Sequence, residues 1–210
     1  MFGVFKQKQR MKNYDKVFKT FEKNYKLVPL EVFGKDPYKT LISTILSSRT
    51  NDDTTLKVSK LLFKKAPTVY VLKNMELKEI GKIIKPINFY KNKTSYLKKT
   101  AESLVDKHEG KIPKTREELM KLPGVGRKTA NLVLNRAFDM PAIAVDTHVH
   151  KISNLLGWVK TRKPEQTEEE LNKTLPKKYW SDMNRLFVSI GRQYTTKKRL
   201  KEFLRKNKLI

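Results

Sequence analysis

The amino-acid sequence predicts an all-α protein, and two observations support this. Apolar residues recur at steps of three and four along several stretches, which is the spacing of the buried face of an amphipathic helix. No stretch shows the regular polar–apolar alternation of a half-buried strand. The helical stretches contain Leu41 and Ile45; Leu97, Ala101, Leu104 and Val105; Ala130, Val133, Leu134 and Ala137; Val149, Ile152, Leu155 and Leu156; and Met183, Leu186, Phe187, Ile190 and Tyr194.

Start and stop signals agree with these helices in chain order. The nine prolines fall mostly between the periodic stretches, where proline ends a helix. Two segments have the pattern of a capping box and predict helix starts, namely Thr115-Arg116-Glu117-Glu118 and Thr167-Glu168-Glu169-Glu170. The basic segments at residues 6–12 and 197–207 are either tails that contact nucleic acid or ordinary solvated helix faces.

The helical stretches follow one another without a low-complexity linker or an internal repeat, so we expect a single helical unit over residues 1–210. We expect this unit to have two lobes. The central lobe spans approximately residues 30–138 and includes a helix-hairpin-helix motif at 115–138. The second lobe combines approximately residues 1–29 and 139–210. Periodicity alone does not establish that the two ends fold together.

The charge balance indicates a polyanionic partner. The 210 residues include 47 Lys and Arg against 21 Asp and Glu, which gives a formal net charge of +26. A field of this strength attracts polyanions and speeds their encounter, and the resulting binding weakens steeply with salt. Charge alone fits a nucleic-acid enzyme and a ribosome- or chromatin-associated protein without chemistry equally well.

Cysteine is absent from the sequence. Its absence excludes disulfides, zinc-thiolate sites, cysteine nucleophiles and cysteine-bound iron–sulfur clusters. No segment approaches the roughly 20 apolar residues of a membrane span, and the start of the chain lacks the apolar stretch of a signal peptide. We therefore expect a soluble intracellular protein, located in the cytoplasm or nucleoid.

The segment Leu122-Pro123-Gly124-Val125-Gly126 lies between two helical patterns, at 115–121 and 127–138. Pro123 ends the first helix, the glycines permit a tight turn, and Leu122 and Val125 can fill the gap between the helices. Such a turn leaves amides free at the positive start of the second helix, where a phosphate binds without base contacts. We therefore predict DNA contacts at Leu122, Gly124, Val125, Gly126 and Arg127. The alternative is a turn that only connects two helices.

The run LPGVGRKTAN, from Leu122 to Asn131, is followed eleven residues later by AIAVDTH, from Ala142 to His148. Both motifs and their spacing resemble those of the helix-hairpin-helix–Gly/Pro–Asp DNA glycosylase superfamily, endonuclease III branch, over about residues 37–194. The resemblance implies a two-lobed helical glycosylase fold. It also implies a bifunctional enzyme of base excision repair that removes oxidised pyrimidines and cleaves the abasic site. The alternatives are an 8-oxoguanine- or mismatch-directed glycosylase of the same superfamily and a non-catalytic DNA-binding module.

By the same resemblance, Lys128 is the catalytic lysine and Asp146 is its carboxylate partner. A neutral amine can displace the base at the sugar carbon and leave an iminium, which permits β-elimination of the 3′ phosphate. A free lysine, with a pKa of about 10.4, is almost fully protonated at neutral pH. We expect Arg127, the helix start and partial burial to favour the neutral amine. Asp146 can accept the proton and also cap the next helix, although a carboxylate alone favours ammonium. His148 is a candidate DNA contact and equally a packing residue.

Two further segments are implied to enter the duplex when the damaged base leaves the stack. The first is Leu46–Asp52, where Arg49 stands at a position at which the family usually has Gln. Arginine can still stack on the orphan base and hydrogen-bond to it. The second is Ile87–Tyr90, where Phe89 would be the apolar wedge, the alternative being core packing. Lys91 and Lys93, with the first amides of the next helix, are expected to hold phosphate.

The resemblance is incomplete near the C-terminus. Typical members carry four cysteines there that ligate a [4Fe–4S] cluster, whereas this chain has none and Thr195 stands near the position of the first ligand. We expect no cluster and no other cofactor. Residues 197–207 either replace the DNA-contacting loop of the cluster or form a helix that closes the core.

The expected partner is double-stranded DNA with a damaged base or an abasic site, bound by a monomer. No metal site is expected, apart from a monovalent cation that helix-hairpin-helix loops often hold on main-chain carbonyls. Here the carbonyls of Leu122, Gly124 and Val125 are the candidates.

Overall fold

The computed structural model describes residues 13–210, and every regular element within that range is helical. This confirms the all-α fold class. The basic segment at residues 6–12 lies outside the described residues. None of the described helices is long and apolar enough to cross a membrane. The α-helices are α1 Tyr14–Lys23, α2 Pro37–Ser47, α3 Asp52–Lys65, α4 Val69–Asn74, α5 Leu77–Ile84, α6 Tyr90–His108, α7 Arg116–Met120, α8 Arg127–Phe138, α9 Thr147–Leu155, α10 Pro164–Thr174, α11 Trp180–Gln193 and α12 Lys197–Lys206. Short 3-10 helices occupy Pro29–Phe33 and Lys177–Tyr179.

Apolar side chains form two separate buried clusters. The first is built from α2 to α8 and includes Leu41, Leu97 and Val133. The second combines α1 with α9 to α12, and its Phe21 and Phe187 rings meet edge to face at 5.0 Å between centroids. The extents of the clusters follow the predicted lobes, which supports that division, although the division itself stays a prediction.

The apolar stripes identified in the sequence face these clusters, and all their residues are buried or partly buried. Within the first cluster α8 packs against α2 and α7, and within the second α9 packs against α11. Helices α8 and α9 therefore pack in different clusters. Lys128, in the first turn of α8, and Asp146, directly before α9, nevertheless line one pocket, which also receives side chains from α2 and α11.

One of the two predicted capping boxes is wrong. Thr115 does cap α7, because its hydroxyl accepts the Glu118 amide N–H at 3.3 Å. Thr167, by contrast, lies inside α10, where its buried hydroxyl is 2.6 Å from Nδ1 of His150. Helix α10 begins one turn earlier at Pro164, since proline is well suited to the first helical position.

The basic C-terminal segment forms α12, which closes the second cluster. Leu200, Phe203 and Leu204 are buried along one face of this helix, and the Phe203 ring stacks on Tyr194 with centroids 4.4 Å apart. The Asn13 side chain donates to the Leu209 carbonyl at 3.1 Å and so joins the chain end to α1. Of the two interpretations of this segment, the helix that closes the core is confirmed, and a contact with DNA stays a prediction.

Candidate active site and DNA interface

The segment between α7 and α8 forms a tight hairpin that is anchored on α6. Gly124 has φ +78°, and a Cβ at this position would lie 2.8 Å from Cδ2 of Tyr96. The turn therefore requires glycine for both its backbone conformation and its space. Leu122 and Val125 are buried in the first cluster, as expected, and the Thr100 hydroxyl donates to the Pro123 carbonyl at 3.0 Å.

Among residues 13–210, no side chain caps the start of α8. Gly126 occupies the N-cap position, and a Cβ there would meet nothing within 4 Å. The first-turn amide N–H groups can therefore donate hydrogen bonds to an anion at the positive end of the helix. At the candidate cation site, the Leu122 carbonyl already accepts the Val125 amide N–H at 3.1 Å, which leaves it one lone pair. Cation binding by Leu122, Gly124 and Val125 stays a prediction.

Lys128 and Asp146 line the same pocket. The Lys128 side chain is exposed, and within residues 13–210 its amine makes no hydrogen bond or ion pair. Asp146 caps α9, as predicted, because its Oδ1 accepts the amide N–H groups of His148 and Val149, both at 2.9 Å. Both cap bonds use the same oxygen, so Oδ2 is left for another partner.

Two asparagines hold the extended segment that leads to Asp146. Nδ2 of Asn131, on α8, donates to the Ile143 carbonyl at 2.9 Å. Nδ2 of Asn184, on α11, donates to the Ala144 carbonyl at 3.0 Å. Both amides are buried, so the carboxylate of Asp146 is fixed relative to α8 and α11 together. Sequence reasoning did not single out either asparagine, although Asn131 lies one helical turn after Lys128.

Arg136 is a charged residue of the pocket that sequence reasoning missed. It follows Lys128 by eight residues, about two turns on the same face of α8, and its Nη2 donates to Oδ1 of Asn184 at 3.1 Å. Burial lowers the pKa of Arg136, and nearby carboxylates partly offset this effect. The helical spacing from Lys128 was the only signal that could have identified it. The carboxylates that partly offset the effect of burial on the Arg136 pKa belong to Glu31, Asp52 and Asp146.

Two features expected around Lys128 differ in the structure. Arg127 is directed at two carboxylates of α10, with Nη2 3.4 Å from Oε1 of Glu168 and Nη1 3.5 Å from Oε1 of Glu169. The charge of Arg127 is therefore partly balanced by these two carboxylates. Lys128 is exposed, so the partial burial expected for it is wrong.

The two segments expected to enter the duplex lie side by side. Arg49 and Phe89 both have positive φ, 55° and 59°, and the Arg49 guanidinium carbon is 5.6 Å from the centroid of the Phe89 ring. Phe89 is 58% exposed, so the alternative of core packing is wrong for this residue. Helix α6 begins directly after Phe89, and no side chain in the described part of the chain caps it. Insertion of either side chain into DNA stays a prediction.

The two lysines of the first turn of α6 differ. Lys91 is exposed, and its contact with a phosphate stays a prediction. Lys93 is only 4% exposed, and its ammonium donates to the carbonyls of Leu46 and Ser48 at 2.7 and 2.6 Å. The expectation that the Lys93 side chain holds phosphate therefore needs correction. Burial lowers the pKa of Lys93 to about 8.

His148 is half-buried against α11. A Cβ on Gly191 would lie only 2.1 Å from Nδ1 of His148, so the imidazole occupies the space that the absent side chain leaves. Packing of His148 is thus what the structure shows, and a DNA contact stays a prediction.

Comparison with known proteins places this arrangement in a family. The model of the "HhH-GPD superfamily base excision DNA repair protein" family matches residues 42–177. Endonuclease III of Thermotoga maritima is 46% identical over 177 residues, which cover 84% of this chain and 80% of that protein. The chain belongs to the endonuclease III family. The Escherichia coli K12 endonuclease III is 36% identical over 77% of each chain. Endonuclease III-like protein 1 of Gallus gallus is 45% identical over 74% of this chain, which spans 57% of that longer protein.

Solved structures of the endonuclease III family share the fold. A non-covalent endonuclease III–DNA complex gives a TM-score of 0.79 at 38% identity, covering 87% of this chain and 84% of that chain. A trapped endonuclease III–DNA covalent intermediate gives 0.76 at 36% identity with the same coverage. This chain is accordingly a bifunctional DNA N-glycosylase and AP lyase of base excision repair.

This member of the endonuclease III family lacks the ligands of an iron–sulfur cluster, because its sequence contains no cysteine. Thr195, which stands near the position expected for the first ligand, lies exposed between α11 and α12. A cysteine-ligated cluster does not fit these residues, and no step of the chemistry is assigned to one.

Proposed function

We propose that this chain removes oxidised pyrimidines from double-stranded DNA and then cleaves the abasic site, with Lys128 as nucleophile and Asp146 as its carboxylate partner. The observation that carries the proposal is the shared pocket, which is lined both by an amine without a partner among residues 13–210 and by a carboxylate with one oxygen outside the cap of α9. The proposal needs no cofactor, and we expect the enzyme to act as a monomer at the nucleoid.

The chemistry follows from these two groups. The Lys128 amine attacks C1′, the bond from C1′ to the base breaks, and the base leaves with a proton. Opening of the sugar converts the new C–N bond into an iminium, which acidifies C2′. Loss of a C2′ proton then breaks the C3′–O bond and releases the 3′ phosphate, and water hydrolyses the iminium to regenerate the amine. Asp146 Oδ2 can accept the proton from the lysine and stabilise positive charge on the sugar.

The surrounding surface suits a duplex opened at one nucleotide. The uncapped start of α8 offers amides to a backbone phosphate, and Arg49 with Phe89 offers a cation and an exposed ring to the space left by the flipped base. The net charge of +26 adds attraction that does not depend on sequence.

Borohydride trapping tests the proposal. The protein is incubated with a duplex that has one abasic site, borohydride is added, and the covalent adduct is measured for wild type, Lys128→Ala and the control Lys107→Ala, an exposed lysine of α6. An adduct with wild type and the control, but not with Lys128→Ala, supports the mechanism. An adduct that persists in Lys128→Ala assigns the nucleophile to another residue. A panel of duplexes with single lesions then separates oxidised pyrimidines from 8-oxoguanine and mismatched bases.

A further inference from the structure

Lys93 is a buried cation that lies outside the catalytic pocket and joins two segments of the DNA interface. It sits in the first turn of α6 and reaches the segment between α2 and α3. Its ammonium donates to the carbonyls of Leu46 at 2.7 Å and Ser48 at 2.6 Å, and to Oγ1 of Thr50 at 3.3 Å. These three acceptors match the three N–H donors of an ammonium group, so Lys93 has no donor left for DNA.

The same two segments are joined a second time beside Lys93. The Asn88 amide N–H donates to Oγ1 of Thr50 at 3.2 Å, and the Asn88 side chain donates to the Arg49 carbonyl at 2.5 Å. Both neighbours of Arg49 along the chain are therefore hydrogen-bonded from the α6 side, Ser48 through its carbonyl and Thr50 through its hydroxyl. The carbonyl of Arg49 itself is held as well, so the backbone of this segment cannot move independently of the start of α6.

The backbone at the two tips is in an unfavourable conformation that needs this support. Arg49 and Phe89 both adopt positive φ, which residues with a Cβ rarely do unless surrounding contacts enforce it. Both side chains are directed outward, next to each other. Without the bonds from Lys93 and Asn88, the segment would be expected to relax and the two tips to separate.

We propose that Lys93 is a positioning residue that holds Arg49 and Phe89 together, so that they enter the duplex as one preformed unit. The inference rests on the proposed function, since it assumes that these two side chains occupy the opened base step. Lys93 itself touches no DNA. It lowers the cost of insertion because the geometry of the two tips is set before the duplex arrives.

Helix α6 contains a matched control for the loss of a carbonyl-bound lysine. Lys98 is partly buried, and like Lys93 it donates from its ammonium to two main-chain carbonyls, those of Lys73 and Met75. These carbonyls belong to the end of α4 and the residue that follows it, away from Arg49 and Phe89. Lys98→Met therefore removes a comparable interaction without touching the two tips.

The experiment compares Lys93→Met, Lys98→Met and wild type in the full chain, after thermal unfolding has established that each is folded. The first readout is the fluorescence of 2-aminopurine placed opposite an abasic site, which rises when the stack is disturbed. The second is kcat and KM for strand cleavage at an abasic site, in a duplex and in a single strand. A single strand requires no insertion between base pairs.

For Lys93→Met we expect the fluorescence rise to be lost and kcat/KM on the duplex to fall by about 10- to 100-fold, with the single-strand reaction within about twofold of wild type. Lys98→Met should keep both the fluorescence rise and the duplex preference. Equal losses on duplex and single strand, or equal behaviour of the two variants, would overturn the assignment. Absence of cleavage by wild type would instead count against the proposed function, and the fluorescence readout would still test Lys93.

Discussion

Gly191 provides a sharp test of how α11 positions Asp146, the carboxylate to which we assign a catalytic role. A methyl group at this position would lie 2.1 Å from Nδ1 and 2.6 Å from Cγ of His148. Ordinary contact requires about 3.5 Å, so the imidazole would have to retreat by about 1.4 Å. Overpacking of this kind typically costs about 1–3 kcal/mol of unfolding free energy. We expect Gly191→Ala to be destabilised within that range.

The displacement should also reach the active site. The His148 amide N–H is one of the two donors that hold Oδ1 of Asp146 at 2.9 Å. A shift of about 1 Å at a reacting group can lower a rate by about 100-fold. We therefore expect Gly191→Ala to slow single-turnover cleavage of an abasic duplex by about 10- to 100-fold, while DNA affinity changes much less.

A double-mutant cycle decides whether the imidazole is the cause. In a His148→Ala background the obstructing ring is gone, and alanine is the better helix former by about 1 kcal/mol. Gly191→Ala should then change from destabilising to neutral or stabilising, as measured by chemical denaturation. If Gly191→Ala costs the same stability with and without the imidazole, the proposed contact between α9 and α11 is wrong.

Four further predictions follow from particular contacts. Asp146→Asn retains a cap acceptor, so its unfolding free energy should change by less than about 1 kcal/mol, whereas single-turnover cleavage should fall at least about 100-fold. Phe203→Ala should lose about 3–5 kcal/mol in chemical denaturation, because this buried ring helps α12 close the second cluster. Lys197→Gln combined with Lys198→Gln should reduce the slope of log K against log salt by up to about 2 if α12 contacts DNA, and an unchanged slope would argue against that contact. Burial raises the pKa of Tyr38 above its ordinary 10.0. The unfolding free energy that the buried neutral phenol contributes is therefore present below about pH 10 and is lost as the pH rises further. Above about pH 10, the unfolding free energy of Tyr38→Phe should fall less than that of wild type.

Local sequence patterns predicted much of the fold because each depends on neighbours along the chain. The three- and four-residue apolar steps identified helix faces such as that of α8, and the Leu122–Gly126 turn is encoded by glycine and proline within five residues. The second predicted capping box was wrong because the Thr-x-x-Glu spacing alone does not determine where a helix begins. Thr167 and Glu170 have the right spacing, but Pro164 starts α10 one turn earlier, and the threonine is buried against His150.

The features that were not predicted all depend on contacts between distant segments. Lys93 resembled any other lysine at a helix start, and only the fold brings the carbonyls of Leu46 and Ser48 to it across more than 40 residues. Arg136 is one of 47 cationic residues, and its place in the pocket depends on its hydrogen bond to Asn184 of α11. Sequence spacing encodes which face a residue occupies, whereas the partner of that face is a property of the tertiary structure.

The chain has no cysteine near its C-terminus, and the apolar face of α12 stabilises this region instead. After α11 ends at Gln193, a short connection turns the chain back, Thr196 caps α12 by accepting the Arg199 amide N–H, and Phe203 returns to stack on Tyr194. Burial of Leu200, Phe203 and Leu204 supplies apolar stabilisation at a place where no thiolate is available to bind metal. The many cations of α12 remain on its outer face, so the helix can close the core and still present charge to DNA. A simple deletion of residues 197–210 would therefore confuse loss of folding with loss of binding, and substitution of exposed cations is the variant that separates them.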